Sequence, residues 1–260
     1  MLTYNAKAVA DLDKLYLTPQ IIEQRKKIRS VLAARPGEMG LDVGCGVAYL
    51  ACELAKEVAP DGCVTAIDNS PDSIAASRIR IAEEGLGDWV DIIRGNAENL
   101  EFPDESFDFV VGAQVYCFVP DVAHAIKEAA RVLRRGGRLV VLDSDWDMCV
   151  WKAADRQLSQ RIIAARGAVQ FAHANLPRDL HGHLHEAGLT LHNVSVFSIT
   201  ETNYDPDSFS VGLIPSMRKA ALKYGILAED VSEWEIDLRS RTSPGEWFFC
   251  LNRFIFLATK

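Results

Sequence analysis

Short apolar, β-branched runs alternate along the chain with stretches whose apolar positions recur every three or four residues, the mark of strands and amphipathic helices following one another. Met39 to Val43 reads as a first strand, followed by a helix from about Leu50 to Ala59 with Leu50, Leu54 and Val58 on one stripe, stopping before Pro60-Asp61-Gly62. Val64 to Ile67 is a second strand. Ser70 reads as an N-cap with Pro71 at the first helical position, opening a helix to about Glu84. Trp89 to Ile93 and Phe107 to Gly112 are a third and fourth strand, the latter almost wholly apolar as a central parallel strand is. Asp121 to Arg134 is a helix with Val122, Ile126, Ala129 and Leu133 facing the core, and Gly136-Gly137 turns into a fifth strand, Arg138 to Leu142. Such alternation specifies a mostly parallel sheet covered on both faces.

Beyond Asp143 the pattern predicts a helix over Trp151 to Gly167, a short helix over Arg178 to Glu186, a strand over Leu191 to Thr200, and a last, aromatic-rich antiparallel strand over Trp247 to Ala258. Asn203 to Glu246 is too long for a hairpin loop, has helical character around Ser216 to Tyr224, and reads as a cap inserted before the last strand. The expectation is one α/β domain over residues 1–260: a doubly wound, mostly parallel, seven-stranded sheet. Its parts are an N-terminal helical lid (1–36), a ligand-binding half (37–145) and a substrate-side half (146–260) with the cap at about 203–246.

Composition adds boundaries. The 260 residues are 48% hydrophobic and 25% charged, enough for a full core. A net charge of −8, with no basic stripe, argues against general affinity for nucleic acid. The first residues have neither a basic nor an apolar signal region, and no run is long enough to span a bilayer, so the expected location is the cytosol. The six cysteines are scattered without zinc-finger spacing and read as free thiols.

The chemistry begins at LDVGCGVAYLACELA. Gly44 and Gly46 follow the first strand and precede a helix, where backbone approaches a ligand closely. A dinucleotide loop wants Gly or Ala where this chain has Tyr49, which would crowd a pyrophosphate; the small residue is Ala48. Asp42 is a poor neighbour for phosphates and a good one for an ammonium group. Asp68, ending the second strand, suits the two hydroxyls of a ribose, and Asn96-Ala97 falls where an amide meets an adenine edge. These details disfavour an NAD-linked oxidoreductase.

LDVGCG, AIDNSPDSI, GNAENLEFPDESFD and RVLRRGGRLVVLD occur in the order found in the class I S-adenosylmethionine-dependent methyltransferases, and the chain resembles their ubiquinone/menaquinone-biosynthesis branch over roughly residues 20–145. The resemblance implies that Asp42, Gly44 and Gly46, with Cys45 between them, surround the methionine part of S-adenosyl-L-methionine. It implies that Asp68 holds the ribose, Asn69, Asn96 and Ala97 flank the adenine, and Gln114 lies beside the sulfonium. Related enzymes fold an N-terminal segment over the cofactor, which brings in Tyr4 and Tyr16. The family usually has Gly at Ala48 and often Asp at Asn96. A relative that binds the cofactor without transferring methyl groups would look alike.

The partner expected is a small-molecule methyl acceptor beyond the carboxyl ends of the strands. That points to Tyr116 and to LDSDWDMCVW, where Asp143, Asp145 and Asp147 fall on one side of an extended chain. Asp145, Tyr116 and His173 are the candidate catalytic residues, with Arg178 near His173. His181, His183 and His185 do not share one helical face, so no metal site is expected. Arg25 reads as a solvated charge.

Overall fold

The computed structural model describes residues 13–260, so Tyr4 lies outside the described residues. A helical turn at 13–16 leads into α1 (Pro19–Leu32). Then come β1 (Met39–Val43), α2 (Tyr49–Val58), β2 (Cys63–Asp68), α3 (Pro71–Glu83), β3 (Val90–Arg94), β4 (Phe107–Ala113), α4 (Val122–Val132) and β5 (Leu133–Trp151). The rest is α5 (Arg156–Gln170), α6 (Leu180–Glu186), β6 (Thr190–Glu201), α7 (Phe209–Tyr224), α8 (Ala228–Ser240) and β7 (Phe249–Thr259).

The seven strands form one sheet in the order β3-β2-β1-β4-β5-β7-β6, with β7 antiparallel to both neighbours. Its centre, β1 and β4, is buried, which is why both read as continuous apolar runs. One face packs on α4 and α6 through Val122, Ile126, Leu180 and Leu184. The other packs on α1, α2 and α3 through Ile28, Leu54, Val58 and Ile81. A third apolar cluster joins the far ends of β5 and β7 to α5, α7 and α8, with Trp146, Ile162, Phe209 and Trp234 at its heart. Residues 203–246 thus contain two helices, where the sequence showed helical character over 216–224 only.

The caps explain where helices begin. The Ser73 N–H donates to Ser70 Oγ at 3.2 Å with Pro71 following, and the His124 N–H donates to Asp121 Oδ1 at 2.9 Å.

Two expectations are corrected after Leu142. β5 does not stop there but continues to Trp151, so the run LDSDWDMCVW is strand, and the helix predicted from Trp151 starts at Arg156. The continuation is satisfied by β7, which pairs with β5 at both ends of a register break between Ser144 and Cys149. This bulge frees residues 145–148 from the ladder, and the Trp146 N–H donates instead to Ala174 O at 3.1 Å. Polar residues over the bulge hide the strand from its pattern.

Candidate functional site

β1 delivers Asp42 and Val43 to a loop whose backbone turns left-handed at Gly44 (φ 68°), Gly46 (φ 58°) and Ala48 (φ 62°). A Cβ at Gly44 would stand 2.2 Å from Val115 Cγ2, so the loop and the segment after β4 pack closely enough to exclude one. A Cβ at Gly46 would stand 3.2 Å from the Tyr16 hydroxyl, so Tyr16 lies directly over the loop.

Asp68 ties the loop to the end of β2. Its Oδ2 accepts the Gly46 N–H at 3.0 Å and its Oδ1 the Ser70 N–H at 2.8 Å. Burial raises its pKa above the ordinary carboxylate value, while the N–H donors from Ser70, Gly46 and Asn69 pull it back. Asp42 is almost wholly inside, and its Oδ2 has no hydrogen-bond partner. Desolvation first, and the charge of Asp68 second, push its carboxyl up to about 8. A buried acceptor left open in this way awaits a donor.

A cleft opens above this loop. Of the sequence-predicted residues, Tyr16, Gly44, Gly46, Asp68, Asn69, Asn96, Ala97 and Gln114 line it together. Asp42 and Cys45 are not on its wall: both are buried, and burial pushes the Cys45 thiol up. Gln114 adopts φ 58°, rare for a side chain with a Cβ and concentrated at functional sites. Its amide is clamped on both ends, Oε1 accepting from the Ser144 hydroxyl at 2.8 Å and Nε2 donating to Asp143 Oδ1 at 3.4 Å.

The N-terminal turn is clamped from below. Arg80 donates to Asp13 Oδ1 at 2.6 Å and to Val47 O at 2.8 Å, and its guanidinium lies 3.5 Å over the Tyr49 ring. Arg25 donates to Tyr16 O at 2.8 Å and to Glu53 at 2.9 Å, and approaches Tyr49 at 4.8 Å. The expectation of a solvated Arg25 is therefore corrected: it is buried, because the Tyr16 carbonyl and Glu53 satisfy it. Tyr49 is the platform on which both arginines and Tyr16 rest.

The catalytic candidates fare differently. Tyr116 sits in a short 3₁₀ turn with its ring wholly inside the core and off the wall of the cleft; burial and the charges of Asp143 and Asp42 raise its phenol. Asp145 is buried and gripped by Arg178 at 2.7 and 3.0 Å, a bidentate pair that occupies both oxygens. Asp147 shares Arg178 and accepts from Asn175. His173 faces Pro120 O at 3.1 Å at the rim of the cleft. The bulge thus separates the acids: Asp143 turns to Gln114, the other two to Arg178. Sequence reasoning missed Ser77, whose hydroxyl holds Gly46 O at 2.9 Å, as well as Ser144, Val115 and Phe118, residue types with no local signal. His181, His183 and His185 lie on α6, and among the described residues no group of three or more His, Cys, Asp or Glu is placed to hold a metal ion.

A family model described as a methyltransferase domain matches residues 41–141, the stretch from the middle of β1 to the middle of β5. That stretch is therefore similar to a methyltransferase domain. Over 123 residues the chain is 36% identical to a demethylmenaquinone methyltransferase of Listeria monocytogenes serotype 4a, covering 47% of this chain and 52% of that protein. The chain spans about half the length of the curated relatives it matches. Among solved structures, a Bacillus halodurans protein assigned as a methyltransferase superposes with a TM-score of 0.64 at 21% identity, over 92% of this chain and 99% of the other. The 4+2 cyclase SpnF does so with a TM-score of 0.60 at 21% identity, over 92% and 80%. The structural likenesses show a shared fold. Among the described residues no helix is long and apolar enough to cross a membrane.

Proposed function

We propose that the protein transfers a methyl group from S-adenosyl-L-methionine to an O, N or C nucleophile of a small molecule. The observation that carries this reading is the cleft over the Gly44 and Gly46 cradle, which Asp68, Asn69, Asn96, Ala97 and Gln114 line together. A ribose diol suits the Asp68 carboxylate, and the unpartnered Oδ2 of Asp42, buried beneath the cradle, adds negative charge under an aminoacyl ammonium.

When bound, the cofactor would supply an electrophilic methyl group on a cationic sulfur, open to in-line attack by an acceptor lone pair with the thioether as leaving group. The chain's residues align and desolvate. Asp68 would hold the ribose hydroxyls and Asn69, Asn96 and Ala97 the adenine, with Asp42 beneath the cradle supplying charge toward the ammonium. Gln114, fixed by Ser144 and Asp143, faces the sulfur. The segment carrying Tyr16 serves as lid and the helices of 203–246 as cap, excluding water. A base is needed only for an acceptor protonated at working pH, and Asp145 and His173 are the candidates for it. A cytosolic location belongs to the same reading.

Calorimetric titration with S-adenosylhomocysteine, followed by incubation of the protein with methyl-labelled cofactor and a low-mass cell extract, tests this. Binding and a labelled small molecule are expected. Absence of binding, or binding of NADH in its place, overturns the reading. Binding without any labelled product favours a fold relative with another chemistry, since the 4+2 cyclase SpnF shares this architecture.

A further inference from the structure

The far ends of β5 and β7 border a cavity of about 560 Å³, room for a small molecule, which shares no lining residue with the cleft. Trp151, on its wall, lies past Ser144 by up to about 20 Å along β5. The methyl-transfer reading uses none of it.

Its inner wall is apolar and held in place. Trp151 is 4% exposed and stands edge-on to Trp234 at 5.9 Å, and Trp247 is 2% exposed and edge-on to Tyr204 at 5.1 Å. The segment 203–246 thus fixes both rings, and the exposed Val150 and Phe248 continue the apolar lining outward. Both indole N–H groups are buried without a hydrogen-bond partner among the described residues, although a buried indole ordinarily finds one.

The charge around the cavity has one sign. Lys152 and Arg156 line it, Lys152 donating to Gly245 O at 3.0 Å, and neither forms an ion pair among the described residues. Among the described residues no carboxylate is on the wall. The acids near it are engaged elsewhere. Asp155 accepts the Leu158 N–H at 2.9 Å, Glu201 accepts from the Ser210 hydroxyl, and Asp237 accepts the Ala154 N–H at 2.9 Å and pairs with Arg241 at 2.7 Å. Glu246 is exposed and off the wall. In a chain of net charge −8, two cations without acids beside an apolar cavity form a local field that favours an anion. Indole, ammonium and guanidinium groups all donate and none accepts, so a head rich in acceptor oxygens complements them.

We propose that this cavity is a second binding site, for an amphiphilic carboxylate whose apolar body lies against Trp151 and Trp247 and whose anionic head meets Lys152 and Arg156. The site is separate from the methyl-transfer reading and goes beyond it.

The test is calorimetric titration of the full chain with decanoate, decanol and decylamine, repeated for decanoate with the chain saturated in S-adenosylhomocysteine. Decanoate is expected to bind about fivefold or more tightly than decanol, the worth of two exposed ion pairs, and decylamine more weakly than either. Saturation with S-adenosylhomocysteine leaves the decanoate affinity unchanged. In proton–nitrogen correlation spectra the indole signals of Trp151 and Trp247 shift with decanoate, while that of Trp89, bonded to Pro60 O at 3.0 Å, stays. Lys152→Gln combined with Arg156→Gln, both exposed positions, lowers decanoate to the affinity of decanol, and Val150→Trp, which fills the mouth, removes both ligands. No decanoate binding, equal binding of decanol by the parent, displacement of decanoate by S-adenosylhomocysteine, or binding that survives Val150→Trp overturns the proposal. Attachment to phosphatidylglycerol vesicles without binding of free decanoate also overturns it and makes this a membrane face. Should Val150→Trp fail to fold, the exposed double variant and the indole signals decide.

Discussion

The Ser144 hydroxyl donates to Gln114 Oε1 across the β4–β5 edge at 2.8 Å, holding a residue whose backbone is already left-handed at φ 58°. Neither feature is needed for the sheet, since Gln114 follows the last residue of β4. The pair presents one amide in one orientation at the end of the cleft nearest β5. Ser144→Ala is expected to weaken S-adenosylhomocysteine binding by about fivefold, the worth of one hydrogen bond of about 1 kcal/mol, with the melting temperature little changed. Unchanged affinity in calorimetry would remove Gln114 from the site.

Asp42 makes a pH-dependent contribution of definite sign. Its folded pKa is raised, to about 8 from an ordinary 3.8, so the folded protein keeps a proton that the unfolded chain sheds as pH rises between those values. Its contribution is therefore most favourable below the ordinary value and is lost progressively towards pH 8. Asp143, pushed up to about 7 by burial, acts in the same direction. Melting scans from pH 5 to 8 should show Asp42→Asn gaining on the parent as pH rises. The same variant should lose about tenfold to a hundredfold in S-adenosylhomocysteine affinity, the range for a hydrogen bond to a charged group. In the parent, binding at pH 7 should release protons, seen as a heat that varies with buffer.

Ala48 spends a Cβ on a left-handed position, φ 62°, where the family usually has Gly. That conformation costs a non-glycine residue about 1–2 kcal/mol, and the extra freedom of glycine in the unfolded chain takes back about 0.4–1 kcal/mol. Ala48→Gly should thus stabilise the protein by about 0.5–1 kcal/mol, read as a rise of about 2 °C in Tm. A fall would mean that the Ala48 methyl packs better than its backbone angle costs.

Arg80 holds Asp13, Val47 and the Tyr49 face at once. Arg80→Leu should loosen the segment carrying Tyr16 and raise the S-adenosylhomocysteine dissociation rate about fivefold or more, given about 1 kcal/mol for such a contact. An unchanged rate in stopped-flow measurements would separate Tyr16 from closure of the cleft.

Asp145 is bound at both oxygens by Arg178, which favours a positioning role over proton transfer. Asp145→Asn should lower Tm and leave labelled-methyl transfer within about twofold. A loss of the 10²–10⁴-fold expected for a removed general base would restore it to the chemistry.

Much of the cleft was legible in the sequence because its residues lie where local rules place them. A glycine pair after a buried strand, an acid ending the next strand and an Asn-Ala after the third need only the order of elements to converge at one sheet edge. Eight of the ten candidates there line the cleft for that reason, with Asp42 and Cys45 beneath it. The acceptor side was not legible. Asp143, Asp145 and Asp147 alternate along the chain, yet a bulge, created by the pairing of β5 with a strand a hundred residues later, sends them to different partners. Arg25 looked like a surface charge because Glu53 and the Tyr16 carbonyl, which bury it, are distant in sequence or on the backbone.

By itself, then, the sequence determined the α/β alternation, the caps and the glycine loop with its acids, because hydrophobic period, cap chemistry and backbone demands are written within a few residues of where they act. Only the tertiary structure decided that Tyr49 supports Tyr16, that Gln114 is held by Ser144, and that Arg253 lies buried one strand from that pair. Each of those depends on the register and packing of elements far apart in the chain, and burial and charge pairing are properties of that packing rather than of any segment.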